Sequence, residues 1–371
     1  MSDMELEEVH DPPQSRSSGK AGAELDIVNL YEMAERARKV IPSGTFEYIA
    51  GGSGDEWTLR ENTRAFDDVQ ILPQYLTGIA TPDTRIEIFG SKLATPVIVS
   101  PSASHGLVHQ SAEKGTAVGA AEAGALMCVA TLSNTPLEEI AEVSAGPRWF
   151  QLYYTDDPGI NREMIQRAKA AGCTAVVLTV DAEWVGNREA DYRTGFTFPT
   201  TLKFPNVPVA KIGVSFFELM KSFKPNLSMS DLEFVRKESG VPVIVKGILS
   251  PENAVRCVDR GASAIQVSNH GGRQLDGAPA SITALQGIVD SVGEQVPVIF
   301  DGGIRRGSHV FKALALGASA VAIGRPVFYG LALGGSQGVK SVLDILNFEL
   351  RLTMKLAGCG SIAEISRRFL L

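Results

Sequence analysis

The sequence predicts an α/β fold, a (β/α)8 TIM barrel with an N-terminal helical lead-in and a long loop after the fourth strand. From Pro96 onward, short β-branched apolar runs alternate with Ala-rich stretches of helical period, the pattern of parallel strands buried on both faces by crossover helices. The alternation repeats eight times, which suits a closed barrel; a doubly wound sheet has no reason to stop there. The 371 residues exceed a minimal barrel, so one domain with a lead-in accommodates the length.

Residues 1–24 are rich in Ser, Gly, Pro and charge without a hydrophobic period, and are expected to be a disordered tail. The domain then runs over 25–371. LDIVNLYEMAERARKVI, from Leu25, has helical spacing, and FEYIAGGSGDEWTLRENTRAF, beyond Pro42, reads as short helices broken by a Gly-rich turn. The strands are expected at 97–100, 126–131, 148–153, 175–181, 243–248, 264–269, 298–303 and 320–325. Helices are expected at 112–124, 136–144, 159–171, 230–239, 251–260, 280–292, 308–316 and 338–356. Between Asp181 and Ser230 lie about fifty residues, far more than a βα loop needs, so 182–229 is expected to be an active-site lid.

Composition excludes several classes. No apolar run approaches the roughly 20 residues of a spanning helix, and the acidic N-terminus lacks a secretory pattern, so a cytoplasmic location is expected. Cys128, Cys173, Cys257 and Cys359 are too scattered for a disulfide framework or a Cys-x-x-Cys site. A formal net charge of −7 argues against nucleic acid as a partner.

In a barrel of this kind the chemistry belongs at the carboxyl ends of the strands. Those ends carry Gln151 and Tyr153, Thr179 and Asp181, Lys246, Ser268 and His270, Asp301 to Gly303, and Gly324 with Arg325. Any one of these is commonly a turn or a helix cap; a His, a Lys, two Asp and two Arg, counting Arg273 just beyond His270, on one face are harder to read so. In Ser268-Asn269-His270-Gly271-Gly272-Arg273 the base stands beside a guanidinium, which suits an anionic substrate that must lose a proton. Asp181 is the candidate to orient His270. Asp301-Gly302-Gly303-Ile304-Arg305 and Gly324-Arg325 match the phosphate site that barrels build after strands seven and eight. There is no Rossmann fingerprint, P-loop or H-E-x-x-H and no local ligand cluster, so neither NAD bound in the usual way, nor ATP, nor a metal is expected. Lys246, inside the apolar VIVKGI, suits either charge stabilisation beside a flavin or a Schiff base.

SNHGGRQLDGAP, FDGGIRRGSHVFKALALGA and AIGRP together resemble the FMN-dependent α-hydroxy-acid oxidase and dehydrogenase family, over nearly everything from Leu25 onward. GPRWFQLYYTDD, LTVDAEWVGNREAD and FYGLALGG are most similar to its lactate oxidase branch. The resemblance implies His270 as base with Asp181 as its partner, and Arg188, Arg273, Tyr48 and Tyr153 as substrate contacts. It implies FMN held by Pro101, Ser102, Ala103, Thr131, Gln151, Thr179, Lys246 and Ser268, with its phosphate at Asp301, Gly302, Gly303, Arg305, Gly324 and Arg325. The implied reaction is oxidation of an L-2-hydroxy acid, lactate or a similar small or aryl one, to the 2-keto acid. Oxygen is the expected acceptor, giving hydrogen peroxide, and a homotetramer is the expected assembly. A mandelate-type dehydrogenase using another acceptor, a different phosphate-binding barrel such as an isomerase, and a flavin-binding barrel without turnover are the alternatives. The chain departs from the pattern at Ala130, where relatives often have serine, at Leu132, where they often have an aromatic, and at Phe198, where lactate oxidase has tyrosine. It ends RRFLL, without a peroxisomal Ser-Lys-Leu type address.

Overall fold

The computed structural model describes residues 25–208 and 219–371, so the expected tail at 1–24 and the 209–218 part of the expected lid lie outside the described residues. The lead-in is helical: α1 (Leu30–Val40), α2 (Ser43–Ala50) and α3 (Trp57–Arg64). Asn29 caps α1 by accepting the N–H groups of Tyr31 and Glu32, and Pro42 fixes the entry to α2. An antiparallel hairpin, β1 (Ile86–Ile88) with β2 (Ser91–Leu93), follows; the alternating pattern does not announce it, because it precedes the first repeat.

Eight parallel strands then close on themselves: β3 (Val97–Val99), β4 (Met127–Val129), β5 (Arg148–Leu152), β6 (Val176–Thr179), β7 (Val243–Ile248), β8 (Ala264–Val267), β9 (Val298–Asp301) and β10 (Ala320–Ile323). β10 pairs with both β9 and β3, for example through Val321 with Phe300 and with Val97. Between and after them run α4 (Ala112–Glu122), α5 (Leu137–Val143), α6 (Pro158–Ala170), α7 (Glu189–Thr194), α8 (Met229–Ser239), α9 (Pro251–Asp259), α10 (Ser281–Val292), α11 (Gly307–Ala315) and α12 (Arg325–Ala357). The strands sit where the sequence puts them, one to three residues shorter at their ends, apart from β7, which matches. The last helix starts thirteen residues earlier than expected, at Arg325, and is broken at Gly334 and Gly335. The sequence reading stopped at that glycine pair and so missed the short first piece, which begins at the barrel mouth.

Period-two alternation sorts the barrel residues. Val97, Val99, Met127, Val129, Phe150, Leu152, Val176, Leu178, Val245 and Phe300 pack outward against the helices. Ile98, Cys128, Trp149, Val177, Ile244, Ala264, Ile299 and Ala320 fill the interior, with the hairpin packed on them through Ile88, Leu93 and Phe89. All four cysteines are free and buried.

Candidate active site

The inward alternation continues beyond the apolar plug, and its next steps are polar. Two residues after Ile98, Trp149, Val177, Ile244 and Ile299 come Ser100, Gln151, Thr179, Lys246 and Asp301. These line or back one cleft at the carboxyl ends of the strands, with about 1240 Å³ of non-atom space including its open mouth. A register irregularity between Lys246 and Ile248, where Gly247 has φ +108°, falls beside the lysine.

His270 follows β8. His270, Gly271 and Gly272 follow one another with φ +57°, +65° and +73°, so His270 occupies a backbone conformation that side chains rarely take. Ser268 Oγ accepts the His270 N–H at 3.0 Å and Asn269 Oδ1 accepts the Gly272 N–H at 3.1 Å, holding the turn. A Cβ on Gly272 would stand 2.6 Å from the backbone nitrogen of Leu59, so α3 packs directly on this loop. His270 Nδ1 is 2.9 Å from Asp181 Oδ1. An ionised carboxylate only accepts, so Nδ1 carries the hydrogen and Nε2 is left as the basic nitrogen. Burial pushes the His270 pKa below its ordinary value although Asp181 opposes it; burial alone would raise Asp181, but Lys246 and His270 hold it below the usual carboxylate value. The pair therefore rests as neutral imidazole with carboxylate. Lys246 Nζ donates to Ser268 Oγ at 3.0 Å and lies 3.8 Å from Asp301 Oδ2; burial works against its charge, but Asp181 and Asp301 outweigh it and raise the ammonium pKa.

Two arginines meet at the carboxyl end of α2. Arg273 Nη1 donates to Tyr48 O at 2.6 Å and Gly51 O at 3.1 Å, while Arg325 donates from Nε to Ile49 O at 2.9 Å and from Nη2 to Gly51 O at 2.9 Å. A helix carboxyl terminus carries partial negative charge, which suits both cations. Arg273 Cζ lies 4.9 Å and Arg188 Cζ 5.8 Å from the centre of the Tyr48 ring, which is stacked at 4.6 Å on Phe196 and edge-on to Phe198. Burial first and Arg188 second push the Arg273 pKa down to about 10; burial and Arg273 push Arg325 down to about 9. Burial raises the Tyr153 phenol to about 12, keeping it a donor. Among the described residues, none of Arg188, Arg273, Arg305 and Arg325 has a carboxylate oxygen within 4.0 Å. Half-buried cations with no carboxylate in ion-pair reach among the described residues make a place that suits anions from outside the chain.

At the other end of the cleft, a Cβ on Gly303 would stand 1.8 Å from Asn62 O, so only glycine lets this loop lie against α3. Arg305, its pKa lowered by burial, and the first turn of α12 with Gly324 and Arg325 face the same space. The residues present fit FMN: glycines with Arg305 and Arg325 suited to a phosphate at one end, His270 with Arg188 and Arg273 at the other, and between them Gln151 Nε2 and Thr179 Oγ1, buried without partners.

The structure gathers Tyr48, Pro101, Ser102, Ala103, Gln151, Tyr153, Arg188, Lys246, His270, Arg273, Asp301, Gly302, Gly303, Arg305, Gly324 and Arg325 on the cleft wall. Asp181 and Ser268 stand behind it on His270, and Thr179 is buried at the end of β6. Thr131 is turned away: its hydroxyl donates to Gln151 O at 2.6 Å and accepts the Tyr153 N–H at 3.0 Å, and Ala130 lines the wall instead. The sequence reading missed Asn62, whose side chain exchanges two 2.8 Å hydrogen bonds with that of Asn269. No local motif marks it, since its partner is 207 residues away. From the long loop come Ala182, Trp184, Val185, Arg188 and Met220. Leu132 belongs to an apolar cluster with Phe204, Val207, Leu219 and Phe223, against which Ala103, Tyr153 and Met220 pack.

Comparison with known proteins agrees with this geometry. Residues 37–371 match the FMN-dependent dehydrogenase family. The chain is similar to an L-lactate oxidase of Streptococcus iniae, 45% identical over 94% of this chain and 87% of that one. It is also similar to a peroxisomal (S)-2-hydroxyacid oxidase of Arabidopsis thaliana, 40% identical over 92% and 95%. Among solved structures it resembles the refolded lactate oxidase of Pediococcus acidilactici, with TM-score 0.90 and 46% identity over 96% and 97% of the two chains. A mandelate oxidase crystallised with (S)-2-phenylpropionate superposes with TM-score 0.86 at 42% identity, over 93% and 98%.

Proposed function

The chain belongs to the FMN-dependent dehydrogenase family, and from that membership we propose that it oxidises an L-2-hydroxy acid with an apolar side chain, L-lactate or a near relative, to the 2-keto acid. Oxygen takes the two electrons and becomes hydrogen peroxide. The observation that carries the reading is the pairing of a neutral His270 imidazole, held by the Asp181 carboxylate, with Arg188 and Arg273, neither of which has a carboxylate oxygen within 4.0 Å among the described residues, in one cleft with a phosphate cradle.

Arg188 and Arg273 hold the substrate carboxylate, with Tyr48 between them and Tyr153 as a neutral donor to a substrate oxygen. His270 Nε2 accepts the proton, and Asp181 stabilises the imidazolium through Nδ1. FMN, when bound, supplies the two-electron acceptor. Gly302, Gly303, Arg305, Gly324 and Arg325 would hold its phosphate, while Gln151 Nε2, Thr179 Oγ1 and Lys246 would meet its ring system. The ammonium of Lys246 is preorganised for developing negative charge. The described parts of the long loop, 182–208 and 219–229, act as the lid, and the apolar wall of Leu132, Ala103 and Met220 offers the substrate side chain no polar partner among the described residues.

A homotetramer, which family resemblance suggests, and a cytoplasmic location, with which the bacterial lactate oxidase relatives are compatible, complete the proposal. None of the described helices is long and apolar enough to cross a membrane. Anaerobic addition of L-lactate, glycolate or L-mandelate to the purified yellow protein is expected to bleach the flavin band, and air to restore it. No bleaching by any of the three would overturn the enzyme reading, and bleaching without rapid reoxidation would move it to a dehydrogenase.

A further inference from the structure

Ser53 and Gly54, in the second half of the Gly-rich turn GGSG at 51–54, and Gln274 have no part in the chemistry above, yet they sit at one seam. Gln274 follows Arg273 and reaches across to the long loop: its Nε2 donates to Asp181 O at 2.7 Å and Trp184 O at 2.7 Å, and its Oε1 accepts the Gly186 N–H at 3.2 Å. From the opposite side, Ser53 N–H donates to Gly272 O at 2.9 Å and Ser53 Oγ to Arg273 O at 2.5 Å, while Gly54 N–H donates to Asn187 O at 2.9 Å. The surfaces are in close contact, since a Cβ on Gly186 would stand 2.3 Å from both Arg273 O and Ser53 Oγ. Asn187 immediately precedes Arg188. The seam therefore joins three segments, the 51–54 turn, the base-bearing loop and the stem of the long loop, next to two guanidiniums that repel one another.

We propose that Gln274, braced by Ser53 and Gly54, is a positioning residue that fixes Arg188 opposite Arg273 and so assembles the carboxylate clamp before substrate arrives. The inference rests on the functional reading above for the identity of the carboxylate. Without the clasp, Arg188 is free to move off with the long loop, and like-charge repulsion favours that movement. The clamp then has to be rebuilt at each binding event, which weakens binding of the ground state and of the transition state alike.

The test uses the FMN-loaded enzyme with Gln274→Met, which keeps length and removes all three hydrogen bonds, and Gly186→Ala, which opens the seam from the other side. Expected are a KM for L-lactate raised about tenfold with kcat within about threefold, a matching loss of oxalate affinity followed by flavin absorbance, and faster amide hydrogen exchange confined to 184–196. Ser53→Ala, which removes one of the seam's bonds, is expected to give the same pattern at about threefold. Unchanged KM and exchange in Gln274→Met, or a fall in kcat at constant KM, would overturn the proposal, as would exchange accelerated throughout the barrel. If the wild type oxidises no 2-hydroxy acid, the functional reading fails, while exchange at 184–196 still decides the clasp.

Discussion

Asn62→Leu isolates the contact through which the lead-in supports the base. Asn62 and Asn269 are 2% and 6% exposed, so their amides have no recourse to solvent. The substitution removes both reciprocal 2.8 Å bonds and the 3.2 Å bond from Ser281 N–H to Asn62 Oδ1. At a net ~1 kcal/mol each that is about 3 kcal/mol, to which the stranded Ser281 N–H adds part of its desolvation. Burying the leucine side chain offsets some of it, and Asn269 keeps its bonds to Pro279 O and Gly272 N–H. The expected destabilisation is about 2–4 kcal/mol, read as a shift of the urea midpoint at constant slope. A double-mutant cycle with Asn269→Leu sharpens the test. The reciprocal pair is lost in either single variant and only once in the double, so an interaction energy of about 1–2 kcal/mol is expected. A destabilisation below about 1 kcal/mol, or strict additivity, would refute the view that this amide pair ties α3 to the His270 loop.

Three further outcomes follow from the site. His270→Gln should retain FMN, whose anchors lie elsewhere, and slow anaerobic flavin bleaching by at least ~10²-fold, the usual contribution of a general base; stopped-flow absorbance decides, and fast bleaching would remove His270 from its role. Because burial lowers the His270 pKa and the base works unprotonated, kcat/KM should be level at neutral pH and fall only as pH drops through a pKa below 6.5; an acid limb above 6.5 would contradict the neutral resting pair. Since Ala103, Leu132 and Met220 offer the substrate side chain no polar partner, L-2-hydroxybutyrate should exceed L-glycerate in kcat/KM by about 10- to 100-fold, the penalty of burying an unmatched hydroxyl; equal values would place a polar group or water in that wall.

Much of this was legible in the sequence because barrel geometry converts order into position. Once eight strands are recognised, the residue after each apolar run must face the mouth, and His270, Lys246, Gln151, Asp301 and Arg325 follow from that alone. Tyr48 did not: it comes from α2, outside the repeat, and only family resemblance suggested it. Resemblance alone suggested Thr131; two residues beyond β4, the continuing alternation turns its side chain away from the cleft and leaves Ala130 facing it. Asn62, Ser53 and Gln274 act through partners on other loops, so no local spacing reveals them.

The acidic total of the chain and its cationic cleft are reconciled by what stands next to the arginines. Had Arg273 and Arg325 been neutralised by carboxylates, the cleft would have been stable and closed to anions. They are held instead by Tyr48, Ile49 and Gly51 carbonyls, which orient a guanidinium without cancelling its charge. Burial and repulsion from a neighbouring guanidinium lower both pKa values, so a ligand bringing its own negative charge would offset both effects. On the proposed reading one anion would be the cofactor's phosphate and the other a substrate carboxylate. The lead-in helix is therefore part of the cleft in an electrostatic sense, since α2 presents its carbonyls to both arginines and carries Tyr48 between Arg273 and the aromatic pair Phe196 and Phe198.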